Sequence, residues 1–329
     1  MGGKDAASPR YVFTHLSESA RALFPKADDG LLRRVVSDGH VVEPETYAPI
    51  VPMGLVNGSK GLATGWSAWI PPHALKDVVD ALLGRLDGTA PTPLTPSWKG
   101  FTGRVEVVGN KVTTFGVWNR VGPDKIRITE LPVGVWTQPY KQWLEEKCRR
   151  VEDHSTDEKV DLYVWSDVQD DDVVSHFKLE KSSTMLWVGF DTHNCLKQYS
   201  GAEQVLDEFV PWRLAIYEKR LQKEIREANA LVAALRRKET FLDAVVAGRV
   251  ELRGDLGRVE HEMSALGLAS PFDDLLDLPL RSLTSTRLAQ TRHKLGDAIR
   301  ALEVARGRVA REVWKSELRS ATSKKRTRT

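Results

Sequence analysis

Residues 2–14 read GGKDAASPRYVFT and place a tyrosine, Tyr11, directly after an arginine, Arg10. A phenol becomes a nucleophile by losing a proton whose ordinary pKa is about 10. A guanidinium is always charged and binds phosphate oxygens through a fork of N–H donors. Arg10 is therefore placed to stabilise both the phenolate of Tyr11 and a phosphate under attack. From the residues alone, a Tyr11 buried in a small apolar core remains an open alternative.

Further blocks of sequence extend this pattern along the chain. They are LSESARALFP (16–25), EPETYAPIVPMGLVNGSKGLATGWS (43–67), IPP (70–72), ELPVGVWTQPYK (130–141), CLKQY (195–199) and FDDLLDLPLRSLT (272–284). With the first block, they resemble the type IIA DNA topoisomerases of eukaryotes and large DNA viruses. They lie in the order of that family and cover nearly the whole chain.

The resemblance implies an α+β multidomain fold, the C-terminal part of a DNA breakage-reunion core whose N-terminal part is missing. A truncated protein, a split gene or a misplaced start codon would each explain that beginning. The implied segments are a partial winged helix with the active-site tyrosine (1–40), an α/β tower that bends DNA (41–203), a first helix of a long antiparallel coiled coil (204–238), a small helical dimerisation gate (239–283), a second coiled-coil helix (284–318) and a basic tail (319–329).

The same resemblance implies a function. Tyr11 would be the catalytic nucleophile that joins transiently to a DNA 5′ phosphate, assisted by Arg10, in an ATP-hydrolysing double-strand passage reaction. Leu62 would be an apolar wedge inserted between base pairs. Mg²⁺ and ATP would both be bound by domains absent from this chain, which itself would hold no metal and be inactive alone. The implied DNA-binding residues are Lys4, Ser8, Asn57, Lys60, Leu62 and Thr64.

The implied partners are double-stranded DNA, a second copy of the chain through the gate, and ATPase and metal-binding topoisomerase domains if these are encoded separately. The implied location is the nucleus, or host cytoplasm and virion for a viral protein.

Composition is compatible with these expectations: 329 residues suffice for two or three domains, and a net charge of +3 neither requires nor excludes nucleic acid. Two distant cysteines indicate a reducing compartment, and no apolar run approaches the roughly 20 residues that span a bilayer.

The first 72 residues support several local predictions. A short amphipathic helix should close at Pro25, with Phe13, Leu16 and Leu23 in a core, and Leu31, Leu32, Val35 and Val36 should continue an apolar face. The prolines of residues 41–72 exclude a long helix there. Asn57-Gly58 and Gly61 favour tight turns, because they tolerate positive φ. We expect a β-hairpin with Leu62 near its tip, although a loop with Leu62 packed inward remains an alternative.

Residues 73–203 predict an α+β domain. Strands are expected at 103–108, 111–117, 125–129, 160–165 and 185–190, and a helix at 139–148. The acidic run Asp170-Asp171-Asp172 is interpreted as a solvated turn rather than a metal site. The tryptophans assigned to the core are Trp118, Trp136, Trp143, Trp165 and Trp187.

From Glu203 onward the apolar residues recur every three or four positions, which indicates helices with a coiled-coil seam. The first seam is Leu206, Val210, Leu214, Tyr217, Leu221, Ile225, Ala228, Leu231 and Leu235, and the second is Leu288, Leu295, Leu302 and Val309. Pro211 should start a new helix or kink the existing one. The apolar residues of 239–283 should form a cap with too few internal partners, and hence an interface.

Two alternative functions remain at this stage. The chain is a catalytically incomplete DNA-binding and dimerisation fragment of a split or decayed topoisomerase gene, or a cytoskeletal coiled-coil adaptor. The adaptor hypothesis explains residues 204–318 but leaves the first 72 residues unexplained. The basic tail is compatible with either a nuclear-import signal or a nonspecific DNA contact.

Overall fold

The computed structural model describes residues 7–90, 92–252 and 255–323. The described residues form two compact units, one within residues 1–213 and 315–329 and one within residues 214–314. The strands are β1 (Arg34–Ser37), β2 (His40–Pro44), β3 (Ser59–Ala63), β4 (Trp66–Ile70), β5 (Val105–Val108), β6 (Lys111–Phe115), β7 (Val117–Arg120), β8 (Lys125–Glu130), β9 (Arg150–Asp153), β10 (Leu162–Trp165), β11 (Glu180–Thr184), β12 (Val188–Phe190) and β13 (Leu196–Gln198). The α-helices are α1 (Ala20–Leu23), α2 (Met53–Asn57), α3 (Leu75–Asp87), α4 (Thr137–Lys147), α5 (Val173–His176), α6 (Ala202–Val246), α7 (Leu256–Ala265), α8 (Asp273–Leu276), α9 (Ser285–Gly307) and α10 (Ala310–Ser323).

The elements that precede α2 are short, and α1 and β1 bury none of their side chains. The predicted helix before Pro25 is present as the single turn α1. The prediction that Phe13 and Leu16 belong to a core is wrong, because both side chains are exposed, Phe13 fully. Val35 and Val36 are likewise exposed on the hairpin β1–β2 instead of continuing an apolar face. No described element covers these side chains, so the apolar periodicity of the sequence predicted a burial that does not occur.

The central part of the first unit is built on antiparallel sheets. Strands pair in the order β7-β8-β10-β9 in one sheet and β11-β6-β5 in another. Alternation along β8 and β10 sends one set of side chains inward, where they pack on residues of α4, α5 and the position after α5. These buried residues are Ile126, Ile128, Leu162, Val164, Tyr140, Leu144, Val173 and Phe177.

The predicted strands and the helix α4 are confirmed with shifted ends, whereas the tryptophan prediction is only partly correct. Trp187 is buried, and Trp118 and Trp143 pack on the sheet core. Trp136 is exposed. Trp165 lies on the outer sheet face, where Lys125 Nζ sits 4.2 Å from its ring centroid. The helix α3, which the sequence analysis did not anticipate, buries one apolar face of five residues.

Helix α6 is continuous through Pro211, so the prediction of a new helix at that residue is wrong, and a kink in the existing helix stays a prediction. A proline inside a helix costs about 3 kcal/mol because it removes a hydrogen bond. Contacts on both sides of Pro211 offset that cost. On one side Leu206 is buried and Asp207 Oδ1 lies 2.9 Å from Arg85 Nε, and on the other the Arg213 side chain is completely buried.

In the second unit, α9 runs antiparallel to α6. Arg292 binds Glu239 and Asp243 at 2.9 and 2.7 Å, whereas Arg308, further along the chain, binds the earlier residue Glu224 at 3.1 Å. Between these ion pairs lies an apolar seam. Its buried members are Val232, Leu295, Ala298 and Leu302.

Two residues predicted to lie in the seams, Leu231 and Val309, lie outside them. Leu231 is exposed and its neighbour Val232 occupies the seam. In a straight helix, residues at a fixed spacing rotate gradually around the helix axis, so they do not stay on the face that meets the partner helix. Val309 is exposed, because α9 ends at Gly307 and α10 begins at Ala310. A spacing of seven therefore predicted the seam correctly only within one continuous helix.

Residues 239–283 have a core of their own, and the prediction that they lack internal partners is wrong. Phe241, Leu242, Met263, Phe272 and Leu275 are buried together. The large apolar side chains that this region leaves exposed, among its described residues, are Val246, Leu252 and Leu256. Separately, none of the described helices is both long and apolar enough to cross a membrane.

An ion pair between Asp28 and Arg213 lies deep within the first unit. Arg213 Nη2 lies 2.5 Å from Asp28 Oδ2, and the side chains are 0% and 2% exposed for Arg213 and Asp28 respectively. Asp28 belongs to a short 3₁₀ helix after α1, and Arg213 to α6. The pair therefore fixes the segment that follows Tyr11 to the long helix.

We expect Asp28→Asn to lower the free energy of unfolding by about 3–5 kcal/mol, because it removes the carboxylate charge that faces a buried guanidinium. The matched control is Asp29→Asn. Asp29 pairs with Arg21 at 3.1 Å but remains partly accessible to water, so its loss should cost at most about 1 kcal/mol. Urea unfolding measures both variants. Equal losses in the two would show that burial does not decide the strength of the Asp28 pair.

Candidate nucleic-acid interface

The tyrosine segment is a tight turn on the surface. Residues Pro9–Tyr11 form a 3₁₀ turn, in which the Tyr11 backbone N–H donates to the Ser8 carbonyl at 3.0 Å. Pro9 favours such a turn because its ring fixes φ. Tyr11 is 78% exposed, and Ser8 and Arg10 are exposed beside it. The alternative of a buried Tyr11 is therefore wrong, and the phenol oxygen is accessible to a large substrate. Lys4 lies outside the described residues.

The second group of predicted site residues lies on the hairpin β3–β4. Ala63 pairs with Trp66 across the turn Thr64-Gly65, so the predicted hairpin with Leu62 near its tip is confirmed. Leu62 is 88% exposed, which rules out the alternative in which it packs inward. Lys60 lies two residues before Leu62 and therefore on the same face of the strand. Asn57 is exposed at the end of α2, just before this hairpin.

The exposure of Leu62 is energetically unfavourable in the isolated chain. Burying a leucine side chain contributes about 1.5–3 kcal/mol, and Leu62 forgoes most of that gain. Its neighbours in the strand, Gly61 and Ala63, are small, so Leu62 is the one apolar group of β3 that projects far from the hairpin. A projecting leucine at a hairpin tip is suited to contact an apolar surface, such as the faces of stacked bases.

The base of the hairpin is held in place by backbone contacts. Trp69 and Leu186 exchange two N–H···O hydrogen bonds of 2.9 Å each. The backbone N–H of His73 donates to the Leu55 carbonyl at 2.8 Å, and the His73 Nδ1 lies 3.1 Å from the same oxygen. Burial lowers the pKa of His73, so the neutral ring with a hydrogen on Nδ1 can donate to Leu55. These contacts hold α2 and the strands at the hairpin base in fixed positions.

Two further residues of this region were not among the predicted site residues. Trp66 is 45% exposed and lies opposite Ala63, on the face away from Leu62. His73 supports the hairpin from the core, and a single histidine in a proline-rich stretch gave no signal of that role. The turn assignment also needs correction: Gly61 lies within β3 without a positive φ, and the hairpin turn is at Gly65, with φ +77°.

The described residues do not form a metal site. No group of three or more His, Cys, Asp or Glu side chains in the described part of the chain is placed to hold a metal ion. The acidic run 170–172 is a short 3₁₀ helix, in which Asp170 binds Arg120 Nε at 2.6 Å.

The family model for DNA gyrase/topoisomerase IV, A-type subunits, matches residues 1–319. A putative mitochondrial DNA topoisomerase 2 of Caenorhabditis elegans is 31% identical over 355 aligned positions, which cover 96% of this chain and 30% of that protein. DNA topoisomerase 2-alpha of Gallus gallus is 32% identical, with 96% of this chain and 24% of that protein covered.

A solved structure shows the same fold. The crystal structure of the Plasmodium falciparum topoisomerase II DNA-binding, cleavage and re-ligation domain superimposes with a TM-score of 0.81 at 28% identity. The superposition covers 99% of this chain and 51% of that one. The chain thus spans less than a third of the length of the curated relatives named above, and about half of that domain.

We expect Gly58→Ala to destabilise the hairpin base. Gly58 has φ +72°, and an added Cβ would lie 2.9 Å from the Ile70 carbonyl oxygen and the Pro72 nitrogen. A loss of about 1–3 kcal/mol in the free energy of unfolding should follow. Gly61→Ala is the control, because φ is not positive there and nothing lies within 4 Å of the added atom. Equal stability of the two variants would contradict the geometry described for Gly58.

Proposed function

Because the chain belongs to the DNA gyrase/topoisomerase IV A-subunit family of type IIA topoisomerases and corresponds to the C-terminal part of its breakage-reunion core, we propose that it is the tyrosine-bearing segment of a DNA topoisomerase. The observation that carries this proposal is the exposed Tyr11 phenol, held in a tight turn directly beside Arg10. The substrate is double-stranded DNA and the reaction changes DNA topology.

In the proposed reaction the Tyr11 oxygen attacks the phosphorus of a DNA phosphodiester. The phenol gives up its proton, the bond between phosphorus and the 3′ oxygen breaks, and that oxygen takes up a proton. The 5′ phosphate is then joined to Tyr11, and the reverse steps rejoin the strand without an external energy source. The Arg10 guanidinium binds the phosphate oxygens and stabilises the charge that develops on them.

The hairpin β3–β4 is proposed to bend the duplex. Leu62 enters between two base pairs, unstacks them and kinks the helix axis. Lys60 lies on the same face of β3, where its ammonium group can meet the phosphates that flank the wedge. Ser8, Asn57 and Thr64 supply hydroxyl or amide groups for backbone contacts, which position the duplex without reading its sequence. Lys4 is proposed as a further phosphate contact.

Mg²⁺ and ATP are proposed to be bound by other polypeptide segments. The described residues offer no suitable donor cluster, and the sequence contains no GxxxxGK[ST] motif for nucleotide phosphates. We propose that the complete reaction uses ATPase and metal-binding segments, contiguous with this chain or encoded separately, and that the isolated chain is inactive.

Dimerisation through residues 239–283 is also proposed. The apolar core of this region is internal, so the proposed contact uses the side chains that remain exposed, Val246, Leu252 and Leu256. A two-fold dimer buries each of them against a second copy.

We further propose a compartment that contains DNA, the nucleus in the first instance. The relatives named above come from cellular organisms, one with mitochondrial in its name, and none supports a viral source.

We expect Tyr11→Phe to abolish covalent capture of DNA, because the ring is kept and the nucleophilic oxygen is lost. The protein is supplemented with the metal-binding and ATPase segments, supercoiled plasmid and Mg²⁺, and complexes are trapped with denaturant. Tyr47→Phe is the control, since Tyr47 is also an exposed tyrosine. Arg10→Ala should bind DNA almost normally but form covalent complex at least about 10²-fold more slowly. Covalent capture by the Tyr11→Phe variant would refute the assignment, and no capture by any variant would favour a non-catalytic DNA-binding fragment.

We expect Leu62→Ala to reduce DNA bending while most phosphate contacts survive, because only the wedge is shortened. Energy transfer between dyes at the two ends of a duplex reports the bend angle. Val108→Ala is a matched control, since Val108 is an exposed aliphatic residue on another hairpin. The bend angle should fall substantially for Leu62→Ala alone. An unchanged angle would exclude Leu62 as the wedge.

We expect the double variant Val246→Asp and Leu256→Asp to convert a dimer into monomers at micromolar concentration, because two carboxylates per copy would be buried in the interface. Leu231→Asp is the control, since Leu231 is exposed on α6 outside residues 239–283. Sedimentation measures the molar mass of each variant. A wild-type chain that is monomeric under these conditions would contradict the proposed gate.

A further inference from the structure

A cleft in the first unit lies between α2, the hairpin β12–β13 and the first turns of α6. Its volume is about 410 Å³, which is within the range of clefts that hold small organic ligands. The residues that line it belong to 46–59, 70, 188–199 and 205–212, all within the first unit. Neither Tyr11 nor Leu62 is among them, so the proposed reaction makes no use of this cleft.

Five aromatic side chains line the cleft, namely Tyr47, Phe190, Tyr199, Phe209 and Trp212. The rings of Phe209 and Trp212, three positions apart on α6, have centroids 5.5 Å apart. Tyr47 and Phe190 are 56% and 71% exposed, so both rings are accessible from solvent. The face of an aromatic ring attracts a cation, and several rings together bind ammonium groups. The wall of the cleft is therefore suited to an organic cation.

The charged side chains that line the cleft are both acidic, Asp191 and Glu208. Glu208 is paired with Lys197, whose Nζ lies 2.6 Å from its Oε2. Asp191 forms no ion pair with any residue in the part of the chain that the structure describes. Its Oδ1 accepts hydrogen bonds from the backbone N–H groups of Cys195 and His193, at 2.9 and 2.8 Å. These bonds hold the pKa of Asp191 below its usual range, so its carboxylate stays charged at neutral pH and can face a ligand cation.

The cleft adjoins the base of the hairpin β3–β4. Ser59 and Ile70, the first residue of β3 and the last of β4, pair with each other and both line the cleft. Leu55, whose carbonyl accepts the hydrogen bond from the His73 backbone, lines it as well. A ligand in the cleft therefore contacts the support of the hairpin without contacting its tip.

We propose that this cleft binds a small organic ammonium ion that carries an aromatic or aliphatic body. The charged nitrogen lies beside the Asp191 carboxylate, and the body packs on the rings of Phe190 and Trp212. A neutral molecule of the same shape gains the apolar contacts but neither the carboxylate nor the attraction of the ring faces. The site is independent of the role of Tyr11 in DNA cleavage.

The first test compares two ligands of the same shape that differ in charge. In meta-hydroxyphenyltrimethylammonium the quaternary atom is nitrogen, and in meta-tert-butylphenol it is carbon. Binding of each to the full chain near neutral pH is measured by titration with saturation-transfer NMR of the ligand signals. We expect the ammonium to bind about 10-fold more tightly than the phenol, because only the ammonium is a cation. Equal affinities, or no binding of the ammonium, would overturn the proposal without recourse to any variant.

The second test alters the cleft itself. Asp191→Asn removes the charge but keeps an oxygen that can accept the hydrogen bonds of the turn, and Phe190→Leu replaces an exposed ring by an aliphatic group. Each should weaken binding of the ammonium by about 5-fold, and Asp191→Asn should leave binding of the phenol unchanged. Asp171→Asn and Phe13→Leu are the controls, since they remove an exposed carboxylate and an exposed ring outside the cleft. An equal loss in the controls would attribute the effect to net charge or to any exposed ring, and would overturn the site.

Hydrogen exchange measured by mass spectrometry locates the bound ammonium. At saturation we expect slower exchange in residues 53–59 and 188–199, which line the cleft, and unchanged exchange in 111–130, which do not. Slower exchange confined to segments outside the cleft would show that the ammonium binds elsewhere and would refute the assignment.

Discussion

Asp28 and Arg213 form an ion pair that is almost completely removed from water, with 2.5 Å between Oδ2 and Nη2. Two buried charges are tolerated only when they face each other closely, since desolvation of either one alone costs several kcal/mol. The pair therefore restricts the first unit to arrangements in which the short 3₁₀ helix after α1 lies against α6. The apolar side chains next to Tyr11 are exposed, and this contact holds the segment that follows them against α6.

In the same unit, the hairpin β3–β4 is held in place by contacts between uncharged groups. Backbone hydrogen bonds between Trp69 and Leu186, the His73 contact to Leu55 and the positive φ of Gly58 fix the base of β3–β4. The tip, in contrast, carries an exposed leucine. Rigid support beneath an unfavourably exposed side chain is the pattern expected when a residue is retained for contact with a partner rather than for stability of the chain.

Several local features of the fold were predictable from the sequence because they depend on neighbouring residues. The turn signals and alternation around Leu62 gave the hairpin, and the spacing of Leu288, Leu295 and Leu302 gave the buried side of α9. Predictions failed where the outcome depends on distant residues. Phe13 and Leu16 show an apolar pattern without a described element to cover them, and Pro211 lies in a continuous helix because Arg85 and Asp28 hold residues on either side of it.

The sequence by itself determined the chemistry that the chain offers and its family. The order of residues shows a phenol beside a guanidinium, a leucine between small residues in a predicted hairpin, and a basic tail. These features can be read from the sequence because each involves only neighbouring residues. Only the tertiary structure decided which of these groups reach solvent and which lie near one another. The exposure of Tyr11 and Leu62, the internal core of residues 239–283 and the return of α10 to the side of residues 21–27 are of this kind. Each depends on packing between residues far apart in the chain, and the hydrophobic effect that drives such packing acts on buried area without regard to sequence distance.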